Sequence, residues 1–197
     1  MSKKIFFRGP VQKYSASGEF SDSRIAGSEG KADGFSAELC VVSGDTLRDT
    51  VALEEDQEGL LLDIKNKQVL YSKGAYDRVY PASITKIMTV LLAIENCDMD
   101  EVVTFSADAV FKNEGDTSHI ARNLGEKLTM EQCLYAVMLE SANECAYAVA
   151  EHVGQKLGGD YQTFIDLMNK RAKELGCTDT HFNNCNGLPD EDHWVSA

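Results

Sequence analysis

From position 58 onward the residues predict an α+β fold, a short hairpin followed by a helical region. Two observations carry that expectation. Leu60-Leu61-Leu62-Asp63-Ile64 and Gln68-Val69-Leu70-Tyr71-Ser72 flank Lys65-Asn66-Lys67, the pattern of two short strands and a tight turn. After Pro81, apolar residues recur at helical spacing in separate runs, each with its own start or stop signal. A lone hairpin leaves an open edge that further strands must cover. None follow before Ala197, so the C-terminal strands of the sheet are expected to be missing.

The first helical run places Ile84, Ile87, Met88, Leu91 and Leu92 at helical spacing with Ile94 beside them, a broad face expected to be buried. Thr129-Met130-Glu131-Gln132 is a capping-box pattern, with Leu128, Cys133, Leu134, Val137 and Met138 as the apolar face behind it. A further helix is expected from about Asn143 to Val153, stopping at Gly154. Asp160 caps the next, with Phe164, Ile165, Leu167, Met168 and Leu175 inward and Gly176 at its end. Asn183, Asn184, Asn186, Gly187 and Pro189 make the last stretch a loop. Ahead of all this, residues 1–57 read as a flexible N-terminal segment, rich in Gly and Ser up to position 36. Its apolar patch Leu39-Cys40-Val41-Val42 is long enough for one short strand. Residues 58–197 then make the main domain.

Composition narrows the function. A net charge of −13 argues against nucleic acid, which needs a basic face, and against an anionic membrane surface. No stretch approaches the ~18 apolar residues of a membrane span. The start, Met1 to Arg8, has the charge of an export signal, but the apolar run Ile5-Phe6-Phe7 is far short of the about 7–15 residues such a signal needs. No export signal is therefore read in this chain. The six cysteines show no C-x-x-C spacing and the four histidines no H-E-x-x-H, so no metal or other cofactor is predicted. Cys133 and Cys145 read as small core residues, and Cys177 and Cys185 could pair in an oxidising compartment. His152 reads as a helix-surface residue, and the acidic run Glu54, Glu55, Asp56 and Glu58 as solvated.

The chemistry gathers at Pro81-Ala82-Ser83-Ile84-Thr85-Lys86 and Ser141-Ala142-Asn143. Ser83 stands where a helix begins, so backbone N–H groups and the positive end of the helix dipole point toward it. Lys86, three residues on, shares its face. Set among Ile84, Ile87 and Met88, the lysine is expected to have its pKa lowered toward use as a base. Ser141 and Asn143 add an uncharged hydroxyl and amide. Each fragment alone is weak, because Ser and Asn are ordinary caps. In this order, however, S-x-x-K and S-x-N open a three-part serine site whose third part is K-T-G. No K-T-G occurs among the 197 residues.

Longer strings carry a resemblance. Gln68 to Tyr71 through Pro81 to Thr89, then Leu139-Glu140-Ser141-Ala142-Asn143-Glu144-Cys145-Ala146, then His181-Phe182-Asn183-Asn184-Cys185-Asn186-Gly187-Leu188-Pro189, together resemble the low-molecular-mass penicillin-binding proteins, the serine D-alanyl-D-alanine carboxypeptidases of peptidase family S11. The resemblance covers about residues 58–197 and implies a β-lactamase/transpeptidase-like fold, cut before the K-T-G motif. It implies that Ser83 attacks the carbonyl of the penultimate D-alanine and that Lys86 takes its proton. Ser141 would pass a proton to the leaving D-alanine, and Asn143 would orient Lys86 and the substrate amide. The implied partners are peptidoglycan stem peptides ending in D-Ala-D-Ala and β-lactams as covalent inhibitors, and the implied location is outside the cytoplasmic membrane. Without K-T-G, one oxyanion donor and the lysine that holds the substrate carboxylate are missing, so activity is expected to be impaired. A non-catalytic fragment is one alternative. A class A-like β-lactamase is another, disfavoured because Ala142 stands where those enzymes usually carry Asp.

Overall fold

The computed structural model describes residues 53–54, 57–63, 66, 68–113 and 117–197, so the strand expected near 39–42 lies outside the described residues. Strands β1 (Gly59–Asp63) and β2 (Gln68–Lys73) pair antiparallel, with a bulge between Leu61 and Leu62. The Asp63 carboxylate closes the turn, accepting from the Asn66 backbone N–H at 3.0 Å and from its side-chain amide at 2.8 Å. Among the described residues these strands pair only with each other, and Leu61 is 51% exposed.

A short 3-10 turn, Ala82–Thr85, leads into α1 (Lys86–Asn96). Then come β3 (Val102–Thr104), α2 (Ala107–Phe111), β4 (Lys127–Thr129), α3 (Met130–Leu139), α4 (Asn143–Lys156) and α5 (Tyr161–Glu174). β3 and β4 pair antiparallel around Val103 and Leu128. Both expected capping signals are present as reciprocal boxes, Thr129 with Gln132 and Asp160 with Thr163. Each satisfies backbone donors that a helix start leaves open.

Helix α4 is the centre. Every residue from Asn143 to Ala150 is buried, and α1, α2, α3 and α5 all pack against it. Cys145, Ala146, Ala148 and Ala150 are small, which lets four helices approach one. Leu92, Phe105, Met130, Val137, Phe164, Ile165 and Met168 fill the space between, with Cys133 fully buried.

Three expectations need correction. Gly154 does not stop α4. It lies inside the helix because the chain entering α5 crosses directly over it, and a Cβ there would stand 2.0 Å from the Asp160 carbonyl oxygen. The Ile-rich stripe of α1 does not face the core either. Ile84, Ile87 and Ile94 are 68%, 60% and 57% exposed, while Thr85, Lys86, Thr89, Leu92 and Ala93 point inward. Nor is His152 a bare surface residue, for its Nε2 lies 2.8 Å from Glu101 Oε2. Of the two states left open for Cys177 and Cys185, the structure shows free thiols, one exposed and one buried.

An ion pair joins α1 to α5 inside this packing. Arg171 Nη2 and Nε donate to the two Glu95 carboxylate oxygens at 2.7 and 3.1 Å, with both side chains almost wholly buried. Removing the guanidinium would take the bidentate partner from a buried carboxylate. Arg171→Ala is therefore expected to cost about 3–5 kcal/mol in urea unfolding, and a loss below about 1 kcal/mol would mean that water reaches Glu95 freely.

Candidate active site

The turn before α1 sets the geometry. Ala82 takes a left-handed φ of 47°, and the chain then winds through one 3-10 turn that leaves the Ser83 side chain exposed and buries Thr85 and Lys86. Lys86 Nζ lies 3.0 Å from Ser83 Oγ and donates to the Asn186 carbonyl at 2.8 Å. On the other side Ser141 Oγ donates to Ser83 Oγ at 2.9 Å. Ser141 also has a left-handed φ, 56°, at the sharp corner between α3 and α4. One exposed serine hydroxyl thus stands between an amine and a second hydroxyl.

Lys86 is only 3% exposed, and burial pulls its pKa down from 10.5 to about 8. The surroundings differ from those expected. The shielding comes from the loop at Cys185–Asn186, whereas Ile84 and Ile87 face away from it. Asn143 is buried at the start of α4, its backbone N–H donating to the Ser118 carbonyl at 2.9 Å. Its Oδ1 accepts no hydrogen bond, and among the described residues Lys86 is held by Ser83 and Asn186, not by Asn143.

The 183–188 loop is built to hold that carbonyl in place. Asn184 Oδ1 accepts from Gly187 N–H at 2.7 Å, and its amide donates to the Leu188 carbonyl at 3.0 Å. The Asn186 amide donates to Asn113 Oδ1 at 2.9 Å, and Thr89 Oγ1 donates to the Cys185 carbonyl at 2.6 Å. Gly187, at φ 82°, lies so close to the serine turn that a Cβ would stand 1.7 Å from the Ala82 carbonyl oxygen. His193 closes the arrangement. Its Nδ1 accepts from the Asn183 and Asn184 N–H groups at 3.0 and 3.3 Å, which puts the ring proton on Nε2, facing Thr85 Oγ1 at 2.8 Å.

Sequence reasoning named Ser83, Lys86, Ser141 and Asn143; the first three meet at the Ser83 hydroxyl, while Asn143, two residues past Ser141, is buried with its Oδ1 bonded to none of them. It missed Asn113, Asn186 and His193 as parts of the same arrangement. For Asn186 alone a signal was available, since it lies in the string from His181 to Pro189 that stood out without a role.

A family model described as Peptidase_S11, D-alanyl-D-alanine carboxypeptidase, matches residues 51–197. The chain belongs to this family. The D-alanyl-D-alanine carboxypeptidase DacF of Bacillus subtilis is 34% identical over 157 residues, covering 78% of this chain and 39% of that protein. The D-alanyl-D-alanine carboxypeptidase of Streptomyces sp. strain K15 is 37% identical over 126 residues, 60% of this chain and 43% of that protein. Among solved structures, the carboxypeptidase DacD from Francisella tularensis superposes with a TM-score of 0.66 at 28% identity, over 79% of this chain and 38% of that one. An S216A mutant of the Streptomyces K15 DD-transpeptidase gives 0.63 at 30% identity, over 71% and 55%. The α+β, DD-peptidase-like fold is therefore the family's own, and the chain spans less than half the length of these curated relatives.

The His193 contacts give the site region a pH dependence. Burial lowers the His193 pKa below 6.5, so the unfolded chain takes up that proton first and native stability falls as pH drops below about 6.5. Above that pH the group is neutral in both states and contributes no slope. Thermal melts between pH 7.5 and 5.5 should show the decline, and His193→Gln should flatten it. An unchanged slope in His193→Gln would assign the decline to other groups.

Proposed function

We propose that this chain carries the acylating centre of a serine D-Ala-D-Ala carboxypeptidase. The observation that supports this most directly is the exposed Ser83 hydroxyl, 3.0 Å from Lys86 Nζ and 2.9 Å from Ser141 Oγ. In this reading the neutral Lys86 amine takes the Ser83 proton as the oxygen attacks the carbonyl of the penultimate D-alanine. Ser141 passes a proton to the departing D-alanine, and water then hydrolyses the ester on Ser83. Orientation of Lys86 falls to the Asn186 carbonyl, and Asn143, whose buried Oδ1 is unpartnered, would have to turn that oxygen outward to accept from the substrate's peptide N–H.

The substrates proposed are peptidoglycan stem peptides ending in D-Ala-D-Ala, with β-lactams as acylating inhibitors and a place of action outside the cytoplasmic membrane. No helix among the described residues is long and apolar enough to cross a membrane. A second oxyanion donor and a carboxylate-holding lysine, which the family resemblance assigns to a K-T-G segment, are not among the 197 residues.

Two measurements test the reading. A fluorescent penicillin should form an ester that peptide mapping places on Ser83. Ser83→Ala should abolish it, and Lys86→Ala should slow it by about 10²–10⁴-fold. Equal labelling of Ser83→Ala would remove the nucleophile assignment. Second, the labelling rate should climb with pH and level off above about 8, because only the deprotonated amine can accept the serine proton. A rate flat from pH 6 to 9 would exclude Lys86 as the base.

A further inference from the structure

A second cluster of reactive side chains lies at the far end of α1, a helix of 11 residues and thus about 16 Å long. Cys97 caps that helix, Glu101 ends the turn after it, and His152 projects from α4. One donor atom from each, thiol Sγ, carboxylate oxygen and imidazole nitrogen, lies within 4.8 Å of the other two. The three ligands come from separate elements, so no C-x-x-C or H-E-x-x-H spacing announces them.

The backbone around them is fixed. Cys97 N–H donates to the Ala93 carbonyl at 2.9 Å, and Glu101 N–H to that of Asp98 at 3.2 Å. The Glu101 carbonyl accepts from Met130 N–H at 2.8 Å, which ties the turn to α3. The Glu101 side chain is oriented as well. Oε1 accepts from the Asp98 N–H at 2.7 Å and contacts the Lys156 ammonium, so Oε2 is the oxygen turned toward His152, 2.8 Å away. Outer contacts of this kind hold a metal-binding carboxylate in position. Cys97 is 9% exposed, while the Glu101 and His152 side chains are 22% and 23% exposed, which leaves the cluster sheltered and open to solvent on one side.

We propose that Cys97 Sγ, Glu101 Oε2 and His152 Nε2 bind one divalent zinc-class cation, with a fourth position open to water. A thiolate, an imidazole and a carboxylate are a donor set that suits Zn²⁺ in four-coordinate geometry, and one that Mg²⁺ or Ca²⁺ disfavours. On binding, the Cys97 thiol proton leaves to solvent, and the cation displaces the hydrogen that His152 Nε2 shares with Glu101 Oε2, so that the ring's one remaining proton sits on Nδ1. The ion clips the end of α1, the turn at residues 98–101 and α4 together. Its role is structural, and it does not depend on the chemistry proposed at Ser83.

Cobalt titration of the metal-free 197-residue chain tests the site. One equivalent of Co²⁺ should give a thiolate charge-transfer band in the near ultraviolet and the strong visible bands of four-coordinate cobalt, both displaced by Zn²⁺. Cys97→Ser should remove the charge-transfer band, and Cys177→Ser should leave it. His152→Ala should weaken Zn²⁺ binding more than about 10-fold, since losing only an outer-shell partner typically costs 10–100-fold. Zinc should raise the melting temperature of the wild type and not of Cys97→Ser. No saturable binding of Co²⁺ or Zn²⁺ at micromolar concentration would overturn the proposal. A charge-transfer band that survives Cys97→Ser, or Zn²⁺ affinity unchanged in His152→Ala, would do the same.

Discussion

A lysine amine taken out of water is the constraint around which the site region is arranged. Had a carboxylate met Lys86, the pair would have held its proton firmly. Instead the amine meets the Asn186 carbonyl, a dipole that satisfies one N–H direction without supplying a full opposite charge. Desolvation then dominates, and the pKa settles near 8. Much else follows from this choice. The polar side of α1 has to turn inward, Thr89 has to hold the Cys185 carbonyl, and Asn113 has to restrain the Asn186 side chain.

Local features were legible in the sequence because their causes are local. The hairpin turn, the boxes at Thr129 and Asp160, and the small cysteines of α3 and α4 all follow from near neighbours. The α1 face was misread because its isoleucines are the more apolar stripe, and burial of Thr85, Lys86 and Thr89 runs against hydrophobicity. Only the contacts of those polar groups with a distant loop justify it. Gly154 was misread for a related reason, since a helix-ending glycine and one that admits a crossing backbone look alike in one dimension. β3, α2 and β4, at three, five and three residues, are too short for periodicity to reveal. The roles of Asn186 and His193 depend on pairings 100 and 108 residues apart, which no window along the chain contains.

Backbone strain is concentrated where the two serines lie. Of the three non-glycine residues with positive φ among the described residues, Ala82 directly precedes Ser83, and Ser141 is itself the second serine. A left-handed conformation costs such residues roughly 1–2 kcal/mol each. Here both corners are held from outside, one by Gly187 pressed onto the Ala82 carbonyl and the other by the start of α4. The hydroxyls therefore meet at 2.9 Å because the scaffold tolerates two unfavourable turns.

The long reach from Lys86 to Asn186 has a temporal consequence. A ribosome that has released the chain only through α5 has already produced the serine, the lysine and the second hydroxyl, yet nothing shields the amine. In that interval Lys86 is an ordinary hydrated side chain, protonated at neutral pH, and Ser83 is an ordinary alcohol. The shielding of the amine arrives with the segment around residue 186, when the loop folds back against α1. The low amine pKa that the proposed mechanism needs is thus absent until this part of the fold is complete.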